Sequence, residues 1–403
     1  MTNSRIKPKL RTSPEAEKIV AEAIALSVSG SRLEDDFWES KLSERITRLL
    51  KSQNQSVIDA ALDQTFKINL PAFEYLADTV ETIAESMCYE FNDGKWDVLF
   101  IALPIIGQTK YSIPSGAISA NHVERLISSL HRFIVSQSAC LSVIPWLYSI
   151  DQMPQSHSQT RQLLEKMAVA AVQNIDLKIE LKGLPETISV LADPRFILAC
   201  IAVPHGAALF RWQEEDSRCL ERSQALKEWT QDLRPVFAEL MPGCEFELLL
   251  PDAYFTNCRE ADKRVRPLSL KAAVNYLTTS LGVDSSQLSC VVGAFGEEIA
   301  DEFRISFSIR GHSEIIYGVV WPLYDRETVS VDQLDDSSDE GGALKIICDT
   351  LKSMGIQEIF KHAVLFEPEL CEDCGVPLFP DRIAEVVHAE MPEDIPAQSP
   401  LFH

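Results

Sequence analysis

The sequence predicts an α+β protein: a helical N-terminal segment, residues 1–92, two weakly similar α+β modules, 93–243 and 244–366, and a short zinc-knuckle-like tail, 367–403. Three observations carry this reading. Apolar residues recur at three and four from about residue 13 to residue 90, the period shifts toward strands after Gly94, and one order of strands and helices is then run through twice.

Taken in order, the first segment reads as four helices with short connections. "SPEAEKIVAEAIALSVSG" opens with Ser13 and Pro14, suited to a cap and a first turn. "RLEDDFWESKLSERITRLLKS", "SVIDAALDQTFK" and "AFEYLADTVETIAESM" keep the same spacing. Their apolar faces are expected to pack on the rest of the chain rather than to wait for a partner.

The two modules are read from a recurrence, an internal duplication. "LFIALP" at 99–104 and "FELLLP" at 246–251 are apolar runs ended by a proline, which cannot donate to a ladder and belongs at a strand end or edge. A polar loop and a second proline, Pro114 or Pro267, follow each run. Each proline leads into a helix, with Val123, Leu126 and Leu130 in one copy and Val274, Leu277 and Leu281 in the other. Next come a strand ("CLSVIPWLYSI", "LSCVVGAFGEE") and a hairpin ("RFILACIAVPHGAALFRWQ", "FRISFSIRGHSEIIYGVVWP"). A closing helix ("LERSQALKEWTQDLRPVFAEL", "GALKIICDTLKSMG") ends each copy. A cleft between two such modules is a favoured place for a ligand. The acidic stretch at 325–342 reads as a solvated loop, because its carboxylates lack the spacing of a calcium loop.

With 403 residues, 46% of them apolar, the chain has ample material for a core. A formal net charge of -23 repels phosphate backbones and anionic membrane surfaces, so non-specific nucleic-acid binding is not expected. No apolar run approaches the roughly 20 residues that cross a bilayer. Arg5, Lys7, Lys9 and Arg11 have no apolar stretch behind them to make a secretory signal, and a cytoplasmic location is the expectation. Cysteines such as Cys200 and Cys290 lie inside apolar runs and read as small buried hydrophobes.

"CEDCGVPLFP" raises a choice between a metal knuckle, a redox pair and plain surface thiols. Cys371 and Cys374 are spaced to face one tetrahedral ion, and Gly375 permits the turn whose amides point at sulfur. His388 follows at a spacing common in zinc sites. The fourth ligand would be His403, with Glu390 or Cys348 as substitutes. Against a redox pair stand Pro377 and Pro380 close behind, and Glu372 and Asp373 between the thiols. A structural zinc ion would tie down a tail with too little apolar surface to order itself.

The second feature is the stretch 251–271, read as an arginine-rich loop leading into a helix. Arg259, Lys263, Arg264 and Arg266, with Lys271, could converge with the amides of Leu268 to Leu270 on an anion. Asp252, Tyr254 and Cys258 add groups for proton transfer or nucleophilic attack. The alternative is a solvated stretch whose arginines pair with the surplus of carboxylates. The corresponding loop of the first module keeps only Lys110 and Tyr111. His205 and His312 read as exposed turn residues, and His122 and His131 do not share a helix face at metal spacing. Trp146, Trp212 and Trp321 read as core or rim residues. No Walker loop, GxGxxG, GxSxG or HExxH motif occurs.

"ALSVSGSRLEDDFWE", "LLLPDAYFTNCREADKRVRPLS" and "CEDCGVPLFPDRIAEVVHAEMPED" together resemble a family of uncharacterised proteins of Gram-negative bacteria, classed as a domain of unknown function. The resemblance covers nearly the whole chain, and it implies a bacterial cytoplasmic protein in which the Cys371, Cys374 and His388 segment is a family feature. Two functional readings follow. One is a non-catalytic binding or assembly protein with a structural zinc site, its partner a protein or a small anionic ligand. The other is an enzyme acting on a phosphorylated or carboxylated metabolite through residues 251–271.

Overall fold

Local signals build the N-terminal segment. The computed structural model describes residues 13–392 apart from 93, 110, 178, 180, 182, 188–190, 215–220, 298, 325, 326 and 328–341. Lys110, His403 and nearly all of the acidic stretch 325–342 therefore lie outside the described residues. Helix α1 (Pro14–Ser27) starts where the Ser13 hydroxyl accepts from the Ala16 amide. Ser31 does the same for α2 (Arg32–Lys51), and after α3 (Gln55–Ile68) Asn69 does so for α4 (Leu70–Glu85). Ile19, Ala23, Leu42, Ile46, Ile58, Ala61, Leu76 and Val80 fill the bundle at the spacing read from the sequence.

The first sheet follows. Strand β1 (Ser86–Phe91) turns into the long β2 (Gly94–Gln108), and past the short β3 (Gly116–Ala117) come α5 (Ala120–Phe133) and β4 (Cys140–Val143). Beyond β5 (Trp146–Leu147), α6 (His157–Gln173) leads to β6 (Ala192–Pro204) and then to α7 (Arg222–Leu240). The order is β1-β2-β6-β4, antiparallel throughout. Alternate residues of β2 and β6 face opposite layers. Ile101, Leu103, Ile197 and Ile201 meet α5 and α7, while Phe100, Ala102, Leu198 and Cys200 meet α6.

Three sequence readings change here. Pro104 does not end its strand: β2 runs on to Gln108, because the proline falls in a gap between two edge strands, β7 (Glu245–Leu248) and β8 (Asp252–Ala253). There its missing N–H costs no ladder bond, and its carbonyl accepts from the Leu249 amide. Residues from "FELLLP" thus pair with β2 in the first sheet, instead of opening a second one. The first predicted hairpin has only one arm, since after Pro204 the chain leaves the sheet and passes through a single bridge, Val135 with Phe210.

Residues 254–281 form one 28-residue helix, α8 (Tyr254–Leu281), where a loop was expected as far as Pro267. A proline inside a helix removes one backbone bond and costs about 3 kcal/mol. Burial on both sides offsets this. Tyr254 and Ala261 pack on the first sheet, and Leu270, Val274 and Leu277 on the second. Pro267 lies at the changeover, so α8 is the beam that both sheets share.

The second sheet is built from β9 (Leu288–Phe295), β10 (Glu302–Ile309) and β11 (Tyr317–Pro322), then α9 (Ala343–Ser353) and β12 (Glu358–Phe366). Its order is β11-β10-β9-β12, and β12 returns parallel to β9. One face, with Val292, Phe303, Ile305 and Trp321, is covered by α8 and α9. The C-terminal tail, through the small hairpin of β13 (Phe379–Pro380) and β14 (Val386–Val387), covers the other. Gly318 admits the Phe379 ring, to which a Cβ at that position would come within 2.3 Å. Arg304, 2% exposed, donates to the carbonyls of Glu369 and Leu378, and the Ser306 hydroxyl donates to that of Pro380. The tail is therefore seated on a sheet face by these contacts, which corrects the expectation that only a metal could order it. The protein has an α+β fold.

Candidate metal centre

Two turns bring the predicted ligands together. In the first, the Cys371 amide donates to Val376 and the Gly375 amide donates to Cys371. Gly375 takes φ +74°, open to glycine at no steric cost. In the second, Phe379 pairs with Val387 and Pro380 with Val386, which returns the chain so that His388 stands beside the knuckle. Cys374 Sγ lies 3.2 Å from His388 Nε2, and the ligand atoms of Cys371, Cys374 and His388 all fall within 4.8 Å of one another. A tetrahedral ion with bonds of about 2.0–2.3 Å spaces its ligands by about 3.3–3.8 Å, so the set needs only small adjustment.

The amides of Cys374 and Asp373 face Cys371 and hold its thiol below its ordinary value. They outweigh the negative charge of Asp373, which from the sequence alone had weighed against a thiolate. Glu390, a substitute ligand in the sequence reading, lies on the other side of the ring, its Oε1 3.4 Å from His388 Nδ1. A carboxylate there orients a metal-bound imidazole rather than binding the ion itself. Cys348 is buried on α9 and does not join the cluster.

Of the cations of 251–271, Arg259, Lys263 and Arg266 share one face of α8, while Arg264 points away from it, and each is paired with a carboxylate. Arg259 meets Glu81 of α4 at 2.6 Å, and Lys263 meets Glu260 at 3.7 Å. Arg264 forks onto Glu247. Arg266, 6% exposed, holds Asp262, Glu327 and the carbonyl of Pro322. The amides of Leu268 to Leu270 lie inside the helix. A cleft of about 260 Å³ between α4 and α8 collects Arg259, Lys263 and Arg266, but Glu74, Asp78, Glu81, Asp262 and Glu327 line it too. Carboxylates outnumber cations there.

Of the candidate reactive groups, Asp252 lies 3.2 Å from Arg222, while Tyr254 is buried and stacks on Phe100. Burial raises the Tyr254 phenol far above its usual range and pushes the Cys258 thiol up to about 12, so both stay protonated at neutral pH.

A protein-family model described as "Protein of unknown function (DUF2863)" matches residues 4–402. The chain belongs to this family. No curated protein and no solved structure matches it. Among the described residues of this DUF2863 chain, no helix is long and apolar enough to cross a membrane.

Two features escaped the sequence reading of the DUF2863 chain. One is a second cluster of potential ligands, Cys88, Asp97 and His205. The other is Glu85, the last residue of α4, which accepts from the Phe255 amide at the start of α8. Burial pushes its carboxyl from 4.5 up to about 7, with the Phe255 amide and Arg259 opposing the rise and Glu81 adding to it. The folded chain thus keeps a proton that the unfolded chain releases, which is a stabilising difference present at low pH and lost as pH rises through about 7. Glu85→Gln keeps an acceptor for Phe255 without the charge. Relative to that variant, the wild-type protein is expected to lose up to about 3 kcal/mol between about pH 4.5 and pH 7. Urea denaturation of both across this range checks it; a difference independent of pH would mean that Glu85 ionises as freely folded as unfolded.

Proposed function

We propose that this chain is a non-catalytic binding or assembly protein whose C-terminal segment is closed by a structural zinc ion on Cys371, Cys374 and His388. The carrying observation is the convergence of two thiols and an imidazole nitrogen within 4.8 Å, a donor set that suits zinc. His403, or a donor from a partner, would complete the tetrahedron. On this reading the zinc locks a tail already seated on the second sheet, and the closed surface serves recognition in the cytoplasm.

The proposed division has a helical segment to residue 92, two sheet modules and the tail from 367; the boundary expected at 243 moves into α8, because β7, β8 and the first turns of α8 belong with the first sheet. A shared origin of the two modules rests on the sequence recurrence, since their strand orders differ. The enzyme alternative has in its favour the cleft beside Arg259, Lys263 and Arg266. Its acidic lining and the burial of Tyr254 and Cys258 weigh against an anionic substrate.

The test is elemental analysis of the full chain, purified without tag or chelator, beside Cys371→Ser, Cys374→Ser and His388→Ala. Each cysteine variant is expected to lose about one equivalent of zinc per chain. Zinc content unmoved by these substitutions would overturn the reading.

A further inference from the structure

We infer that Cys88, Asp97 and His205 form a second divalent-metal site, independent of the C-terminal knuckle, with a coordination position open to solvent. The three residues lie on two adjacent strands and on the turn that follows a third. Cys88 of β1 stands opposite Asp97 of β2 in the antiparallel register, and Trp96 opposite Pro204 sets His205, just past β6, diagonal to Asp97. All three project from the face that α5 and α7 cover further along the sheet, and among the described residues Cys88 and His205 are exposed there. Their ligand atoms fall within 4.8 Å of one another.

The site is oriented as well as assembled. The Gly206 amide donates to Asp97 Oδ2 at 2.8 Å, which turns Oδ1 toward His205 Nδ1, also at 2.8 Å. Binding would replace the proton shared by this pair with the metal, and the pair would part by about half an ångström to reach tetrahedral spacing. His205, 63% exposed on a turn, has room for that. A thiolate, an imidazole and a carboxylate suit zinc or a similar borderline ion over calcium or magnesium. Three protein ligands leave the fourth place to water or an exogenous donor, as in sites where the metal does chemistry or exchanges. Two of the three ligands, Cys88 and Asp97, are held on paired strands, which fix them more firmly than loops would, and only the His205 ring has to settle on binding.

Cobalt(II) is the probe, because a thiolate ligand announces itself by a charge-transfer band. Full-length protein stripped with chelator is titrated with Co²⁺ alone, as wild type, Cys88→Ser, His205→Ala and the double variant Cys371→Ser/Cys374→Ser. The double variant is expected to keep about one equivalent with its thiolate band, and Cys88→Ser added to it should abolish that band. In the wild-type background, Cys88→Ser and His205→Ala should each remove one equivalent and spare the other. A folded double variant without a thiolate–cobalt band would overturn the proposal, leaving Asp97 and His205 as a hydrogen-bonded turn cap. Should the double variant fail to fold, a wild-type isotherm unchanged by Cys88→Ser overturns it equally. Loss of the knuckle equivalent is read separately, in the Cys371 and Cys374 variants.

Discussion

Arg304→Leu is expected to lower the unfolding free energy by about 3 kcal/mol and to open the tail to protease. The guanidinium stands on the central strand β10 beneath the tail, 4.2 Å from the centre of the Phe295 ring. It pairs with Glu302 at 2.6 Å and donates at 2.7 Å to both Glu369 and Leu378, the carbonyls that flank the knuckle. A leucine fills much of the volume but takes the guanidinium donor from the Leu378 carbonyl, leaves the Glu369 carbonyl with the Leu378 amide alone, and strips a half-buried carboxylate of its partner. Lysine keeps the charge on a single point and should recover only part of the loss. Urea denaturation together with limited proteolysis gives the answer. A midpoint close to wild type, with a protected tail, would show that the tail is held some other way.

Gly318→Val is expected to expel Phe379 from the sheet face. The first added carbon already meets the ring at 2.3–2.4 Å; the Phe379 ring is buried and the Gly318 strand is held by its ladder to β10, so neither can step aside cheaply. The cost should be about 1–3 kcal/mol, and its signature lies in combination with the metal. With the proposed zinc bound, chelator should loosen the Cys371–His388 turn of the wild type while β13 stays seated; in Gly318→Val, chelator should release the whole tail, read as rapid cleavage between β12 and β14. If chelation changes neither protein, the sheet contact and the metal do not share the work of holding this segment.

These two residues also show where sequence reading stops. Arg304 and Gly318 carry no local sign of their role, because what they touch lies some 60 residues further on and arrives only when the second sheet has formed. The helices α1 to α4 were legible for the opposite reason. Their caps at Ser13, Ser31 and Asn69 and their apolar spacing act within a few residues. α8 was misread because a proline and a dense run of charge dominate its local signal, while burial on two sheets decides its conformation.

The knuckle and the second cluster make the same contrast in ligands. The sequence by itself determined the acidic character of the chain, its helical start, its turn to strands after Gly94, and the Cys371, Cys374 and His388 group, since two of those ligands share one turn. Only the tertiary structure decided that β7 joins the first sheet, that the arginines of α8 pair with carboxylates on separate elements, and that Cys88 and Asp97 meet a histidine 108 residues beyond Asp97. The physical reason is register. Periodicity specifies which face of a strand is buried, but the partner opposite each residue is chosen by packing over the whole sheet, and no short stretch of chain carries that choice.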